Sequence, residues 1–209
     1  MKKDIIISIK YMIASTIILG FAYTIFITFI AQTFFYSRGH GSPIVSNGVV
    51  IGSELLAQEF KDPKWFWERP SATKYVTLDD KTNAPVPTGA SNYGAINKDL
   101  KKEVDERVLA ISKDNPAATI TNIPPDLLFT SASGLDPHIS PEAAYFQISR
   151  IAQARNMGSE EKNKLVEMVR THVEPPQYYL FGMPRVNVLK LNMYLKQYYE
   201  QHPDPINNK

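Results

Sequence analysis

"YMIASTIILGFAYTIFITFIAQTFFYS", residues 11–37, contains no charged side chain. About 20 apolar residues suffice for a helix to cross the hydrocarbon core of a bilayer, so this run can span it with some tilt. Gly20 and the scattered Ser and Thr residues do not argue against a span, because a helix satisfies its own backbone inside lipid. Tyr11 at one end and Phe34, Phe35 and Tyr36 at the other fit interfacial aromatic anchors. A cleaved signal peptide has an apolar stretch roughly half as long, followed by small-x-small cleavage chemistry. The exit here, "TFFYSRGHG", lacks that pattern. The run therefore predicts an uncleaved transmembrane helix over 11–36, preceded by a short N-terminal segment, 1–10.

Working outward, Lys2, Lys3 and Lys10 precede the span with Asp4 the only acid, and Arg38 is the single base close behind it. The positive-inside rule keeps the N-terminus in the cytoplasm and sends residues 37 onward to the outside of the cell membrane. Three of the 23 bases and one of the 21 acids lie in residues 1–10, so the rest of the chain carries 20 of each. A neutral domain without a basic run has no electrostatic means of holding nucleic acid. The absence of cysteine removes disulfides, thiol catalysis and thiolate zinc sites.

Beyond the span, Asn47-Gly48 between Ile44-Val45 and Val49-Val50-Ile51 signals a hairpin. Ser53 is expected to cap a short helix through Phe60, with Leu55, Leu56 and Phe60 on its apolar face. A long irregular stretch follows to Asn97 and carries three adjacent aromatics, Trp65, Phe66 and Trp67, between Pro63 and Pro70. Three such neighbours are not expected to face one core together, so at least one can anchor a partner. Asn97 should cap a helix over 98–112, with Leu100, Val104, Val108 and Ile111 on one side. "ATITNIP", 118–124, reads as a strand, and Asp126 as the cap of a brief turn. Ser140 with Pro141 starts a helix to about Asn156, ended by Gly158, with Ala144, Ile148, Ile151 and Ala152 inward. A further helix runs from Ser159 to about His172, "YYLFG" reads as a strand, and Asn187 precedes a last helix over 188–200. Residues 201–209 should fray. Helices mixed with short strands, without a βαβ rhythm, make the class α+β: one N-terminal transmembrane helix followed by one extracytoplasmic domain over 37–200.

Several residues invite chemistry. Asp80-Lys81-Thr82 matches the start of the phosphorylated loop of cation pumps, but the chain is too short for a pump and a solvated turn explains the triplet. "TGASNYG", 88–94, can form an anion nest, yet no Lys-Ser/Thr follows it in phosphate-loop order. His40, His138, His172 and His202 have no partner at metal-ligand spacing. Around Gly134, the stretch "SASGLDPHIS" gathers Ser131, Ser133, Asp136, His138 and Ser140. A hydrolytic triad needs serine, base and orienting acid in contact, and Asp136 and His138 are too close in sequence to face each other easily across one turn. The expectation is scaffolding: Ser140 caps the helix while Asp136 and His138 bond the loop's backbone. No catalytic, cofactor or metal residue is expected.

"SGLDPHISPEAAYFQISRIAQAR", 133–155, closely resembles the signature of the C subunit family of the Kdp-type potassium-transporting ATPase. "IGSELLAQEFKDPKWFWERPSA", "GASNYGAIN", "NIPPDLLFTSASGLDPHISP" and "GMPRVNVLKLN" fall in the family's order, and the likeness runs from the span to about Leu195. One departure is Ala90, where Gly89-Ala90-Ser91-Asn92 stands for the family's usual Gly-Gly-Ser-Asn. That weakens any comparison of the segment with a nucleotide-binding signature.

The resemblance implies an accessory subunit of an ATP-driven potassium uptake complex, needed for assembly and activity but not itself the catalyst. Its partners would be an ATP-hydrolysing pump subunit, a channel-like potassium-selective subunit and a very small fourth membrane peptide. ATP and magnesium would belong to the pump subunit, whose ATP affinity the accessory chain would raise. A domain outside the cell cannot touch that nucleotide, so such an effect must be allosteric. Residues expected to serve partner contact or structure are Gly20 and Thr24 of the span, with Trp65, Phe66, Trp67, Arg69, Ser91, Asn92, Asp136, His138, Ser140, Arg185 and Asn187. Two other readings are a tethered hydrolase using Ser133, Asp136 and His138, and an extracytoplasmic ion or solute sensor.

Overall fold

The structure is a computed structural model and describes residues 2–46, 48–73, 87–115 and 118–201. Its contacts divide the chain into two units, Met1–Ser53 and Glu54–Lys209. In the first, a single helix α1, Lys2–Phe34, is long and apolar enough to cross a membrane, and none of its residues is buried. It extends further toward the N-terminus than the apolar run requires. Between Thr16 and Ala22 it widens to π-helix, where the Tyr23 N–H donates to the carbonyl of Ile18. The polar side chains are satisfied within the helix: Ser15 and Thr16 donate to Met12 O, and Thr24 donates to Leu19 O at 3.5 Å. Phe35 leaves helical geometry (φ −130°) and ends the rod. The expected hairpin follows, β1 (Pro43–Ser46) pairing antiparallel with β2 (Val49–Ser53), with Gly48 in the left-handed region (φ 77°). Asn47, the other half of that signal, lies outside the described residues. The contacts thus place the hairpin with the anchor rather than with the domain that follows.

No helix forms over 53–60. The Ser53 hydroxyl, expected as a cap, donates instead to Gly41 O across the hairpin. The Ala57 N–H donates to Leu135 O, and that of Phe60 to the Glu68 carboxylate. Donors spent on distant acceptors cannot close helical turns. Helix α2 (Lys98–Asp114) is capped by Asn97, whose side chain accepts from the Asp99 N–H at 2.7 Å. Val104 and Ile111 are buried, and Leu100 and Val108 pack against the same core. Residues 118–124 are turns, not a strand: the N–H groups of Asn122 and Ile123 both donate to Thr119 O, and Asn122 Oδ1 accepts from Thr119 N. Asp126 lies inside a 3₁₀ turn, Pro125–Leu127, and caps nothing there. Its carboxylate accepts the N–H of Ser140 at 2.8 Å.

Ser140 and Pro141 open α3 (Pro141–Ala154), with Ser140 Oγ accepting from Ala143 N. The helix ends earlier than Gly158. Asn156 takes the left-handed conformation (φ 54°), Met157 N donates to Ala152 O, and Asn156 N donates to Gln153 O, a Schellman closure. Gly158 instead precedes α4 (Ser159–Thr171), and the Glu161 carboxylate reaches back to its N–H at 2.9 Å. A three-stranded antiparallel sheet in the order β3-β5-β4 joins His138–Ile139, Arg185–Asn187 and Val173–Glu174. "YYLFG" is not a strand but the turn of the β4–β5 hairpin, with Tyr178 and Tyr179 both at positive φ. Asn187 Oδ1 caps α5 (Val188–Gln201) through Lys190 N. Phe66, Ile139, Ile151, Leu165, Val169, Val186, Leu191 and Leu195 make one core in which α3, α4, α5, the sheet and the aromatic segment meet.

Candidate functional site

The aromatic triplet turns out to be a structural rib. Phe66 is fully buried, and Trp65 and Trp67 pack half-buried against the same core. This corrects the expectation that three adjacent aromatics could not share one core. Polar side chains from two helices grip the backbone of this irregular segment. Asn192 of α5 accepts the Phe66 N–H and donates to its carbonyl, both at 2.9 Å. Gln147 of α3 does the same for Trp67, at 2.7 and 3.1 Å. Arg150 donates to the carbonyls of Pro63 and Trp65 and lays its guanidinium 3.7 Å from the centre of the Trp67 ring. Burial lowers the Arg150 pKa to about 10, against the pull of Asp114 and Asp62. Arg155 covers Trp65 and Tyr199 at 4.6 and 4.4 Å and donates to Lys64 O.

Gln147, Arg150 and Asn192 are buried and were not singled out from sequence. The signal was there: Gln147 and Arg150 sit three apart, on the buried side of α3 with Ala144, Ile148 and Ile151. Polar groups on a buried stripe must be satisfied by something, and here that is the backbone of the rib.

The loop before α3 uses its polar groups on itself. Ser131 Oγ accepts from Gly134 N at 2.9 Å, and Ser133 Oγ from Leu135 N at 3.2 Å. Asp136 and His138 do face each other, contrary to expectation. Oδ1 of Asp136 accepts the His138 N–H at 3.0 Å and lies 3.3 Å from the ring Nδ1. An Asx-type turn folds the two side chains together. Oδ2 pairs with Arg69 at 3.3 Å. Burial works to raise the Asp136 carboxyl, but the His138 ring, the His138 N–H and Arg69 outweigh it and hold it below the ordinary carboxylate range. The other histidine nitrogen faces Glu174, 3.9 Å away, rather than a serine.

Arg69, Asp136, His138 and Arg185 line a cleft of about 310 Å³ with Met183. Arg185 pairs with Glu174 at 3.1 Å, while Asn187 is buried and donates to Glu54 O. Arg69 also borders a larger cleft of about 760 Å³, with Phe60, Trp67, Glu68 and Arg107. Burial pushes the Glu68 carboxyl up to about 8, against hydrogen bonds from its own N–H and that of Phe60. Segment 87–97 is tied to the loop by Gly89 N donating to Ser133 O at 2.9 Å. Ser91 Oγ lies 3.4 Å from Thr130 Oγ1, and Asn92 adopts positive φ. Asp80-Lys81-Thr82 and His202 lie outside the described residues. Gly20 and Thr24 belong to the anchor unit.

Comparison with known proteins identifies the family. The sequence profile of the family described as K+-transporting ATPase, c chain (KdpC) matches residues 5–197. Relatives named potassium-transporting ATPase KdpC subunit include one from Geobacter metallireducens, 46% identical over 92% of this chain and 96% of its own. Another, from Bradyrhizobium diazoefficiens, is 44% identical over 93% and 97%. A third, from Caldanaerobacter subterraneus, is 39% identical over 97% and 99%. With the profile covering anchor, rib, loop and sheet alike, the chain belongs to the KdpC family, the c chain of the K+-transporting ATPase.

Proposed function

We propose that this chain is a non-catalytic accessory subunit of an ATP-driven potassium uptake complex. It is held in the cell membrane by α1, with the N-terminus in the cytoplasm and residues 37–200 outside. The observation that carries the non-catalytic role is how the suggestive loop spends its side chains. Asp136 is occupied by His138 and Arg69, Ser140 caps α3, and Ser133 accepts from its own loop while His138 faces Glu174. A serine activated for attack would need the histidine base within hydrogen-bond reach.

Its partners are an ATP-hydrolysing pump subunit, a channel-like subunit that selects potassium and a small fourth membrane peptide. The anchor contributes Gly20 and Thr24, one helical turn apart, as a face on which a neighbouring helix can approach closely. Arg185 offers an exposed edge of the domain, while Trp65 and Trp67 serve as the rib that holds the domain together. ATP and magnesium stay with the pump subunit, so any change in ATP affinity arises because this subunit binds two states of its partners unequally. The test is purification of the complex with and without this chain. Potassium-dependent ATP hydrolysis should be lost without it and return on its addition, while the chain alone hydrolyses nothing. A complex fully active without it, or hydrolysis by the chain alone, would contradict the reading.

A further inference from the structure

The β4–β5 hairpin ends in a turn with an unusual surface. Tyr178, Tyr179, Leu180, Phe181 and Met183 are 81, 85, 74, 63 and 81% exposed. From Pro175 to Pro184 there is no charged residue. This is not a frayed loop. Gln177 and Phe181 exchange backbone hydrogen bonds at 2.8 and 2.9 Å, Tyr179 N donates to Pro176 O, and Leu180 N to Gln177 O. Tyr178 and Tyr179 sit at φ 55° and 58°, a left-handed geometry costing about 1–2 kcal/mol per bulky residue. At the root, Glu174 pairs with Arg185 in register and through their side chains. The hairpin thus holds its apolar tip out, away from the core, at a conformational cost.

We propose that this tip is a lipid-contacting finger: Leu180, Phe181 and Met183 enter the acyl boundary of the bilayer and the two tyrosines lie at headgroup level. Three observations favour lipid as the occupant. The residues are aromatic and aliphatic without charge, the chemistry of the bilayer interface, where tyrosine is enriched. The tip projects from the hairpin without forming a groove of its own, and a bilayer requires no matching groove to receive it. Finally, the chain itself supplies the surface. Only residues 35–53 separate α1 from the second unit, a reach of at most about 65 Å. The tether therefore keeps the tip at high effective concentration beside the membrane, where weak insertion suffices. The proposal requires α1 to be embedded but not the potassium role.

The test uses the full chain, which is free of cysteine, in nanodiscs of phosphatidylcholine with brominated acyl chains. An environment-sensitive fluorophore is attached to L180C, and in a second preparation to K164C on α4. The L180C probe should shift to the blue and lose most of its emission to the bromines with no other subunit present, while the K164C probe should not. Far-ultraviolet circular dichroism matching the parent chain establishes that both variants are folded. Equal quenching at both positions, or none at L180C, overturns the proposal. So does shielding of L180C only after the other subunits are added, which would make the tip a protein-docking surface instead.

Discussion

Asn192 holds Phe66 as a strand neighbour would, accepting its N–H and donating to its carbonyl at 2.9 Å across 126 residues of sequence. Phe66 is fully buried and Asn192 nearly so, so neither backbone group has water as an alternative partner. Gln147 repeats the arrangement one residue along, at Trp67. The rib is thereby stitched to α3 and α5 by amides that imitate a β-ladder.

Asn192→Ala should cost about 2–4 kcal/mol, because it leaves a buried donor and a buried acceptor unmet. Denaturant unfolding of the detergent-solubilised chain, followed by near-ultraviolet circular dichroism, measures it. A loss of no more than about 0.5 kcal/mol, the ordinary scale of a surface substitution, would show that the clamp is dispensable.

Trp67→Ala removes the ring beneath Arg150 and should destabilise by about 2–4 kcal/mol through lost packing and lost cation–π contact. Melting temperature and co-purification with the partner subunits are read on the same preparation. A variant that melts like the parent yet no longer co-purifies would make Trp67 a docking anchor rather than a rib residue.

Gly134 (φ 71°) lies so near the 87–97 segment that an added Cβ would meet Gly89 O at 2.6 Å and Thr73 Oγ1 at 2.8 Å. Gly134→Ala should therefore cost at least about 1–3 kcal/mol and loosen the Gly89–Ser133 tie. Amide hydrogen exchange at Gly89 should accelerate. Unchanged exchange would mean that the segment is held by other contacts.

Two carboxyls give opposite pH dependence. Glu68 keeps its proton to about 8 when folded but releases it near 4.5 when unfolded. Between these values the unfolded chain binds fewer protons, so stability falls as pH rises across that window. Glu68→Gln should flatten the decline and stabilise the chain at pH 8. Asp136 is depressed, so its contribution is present above 3.8 and lost as pH falls through its folded value. Asp136→Asn should flatten the acid limb. Urea midpoints measured across the pH range check both, and parallel curves for parent and variants would refute the assignments.

What could be read from sequence was local. Asn97, Ser140-Pro141 and Asn187 announce their helices because a cap bonds only two or three residues ahead. Gly48 announces its hairpin for the same reason. The clamps were hidden, since nothing beside Gln147 or Asn192 tells which backbone 80 or 126 residues away each will grip. Ser53 misled because it ends β2, with its hydroxyl donating to Gly41 O, and no helix follows it. "YYLFG" misled because an apolar aromatic run reads as strand, while the positive φ of Tyr178 and Tyr179 is imposed by the hairpin that closes around them.

An allosteric accessory role requires the domain to lie outside the cell. Single cysteines at Lys3, ahead of the span, and at Lys164, exposed on α4, can be probed in intact cells with a membrane-impermeant maleimide, since the parent chain offers no thiol. K164C should label at once, and K3C only after the cells are broken. Labelling of K3C in intact cells with K164C protected until lysis would place the domain beside cellular ATP and overturn the allosteric accessory role.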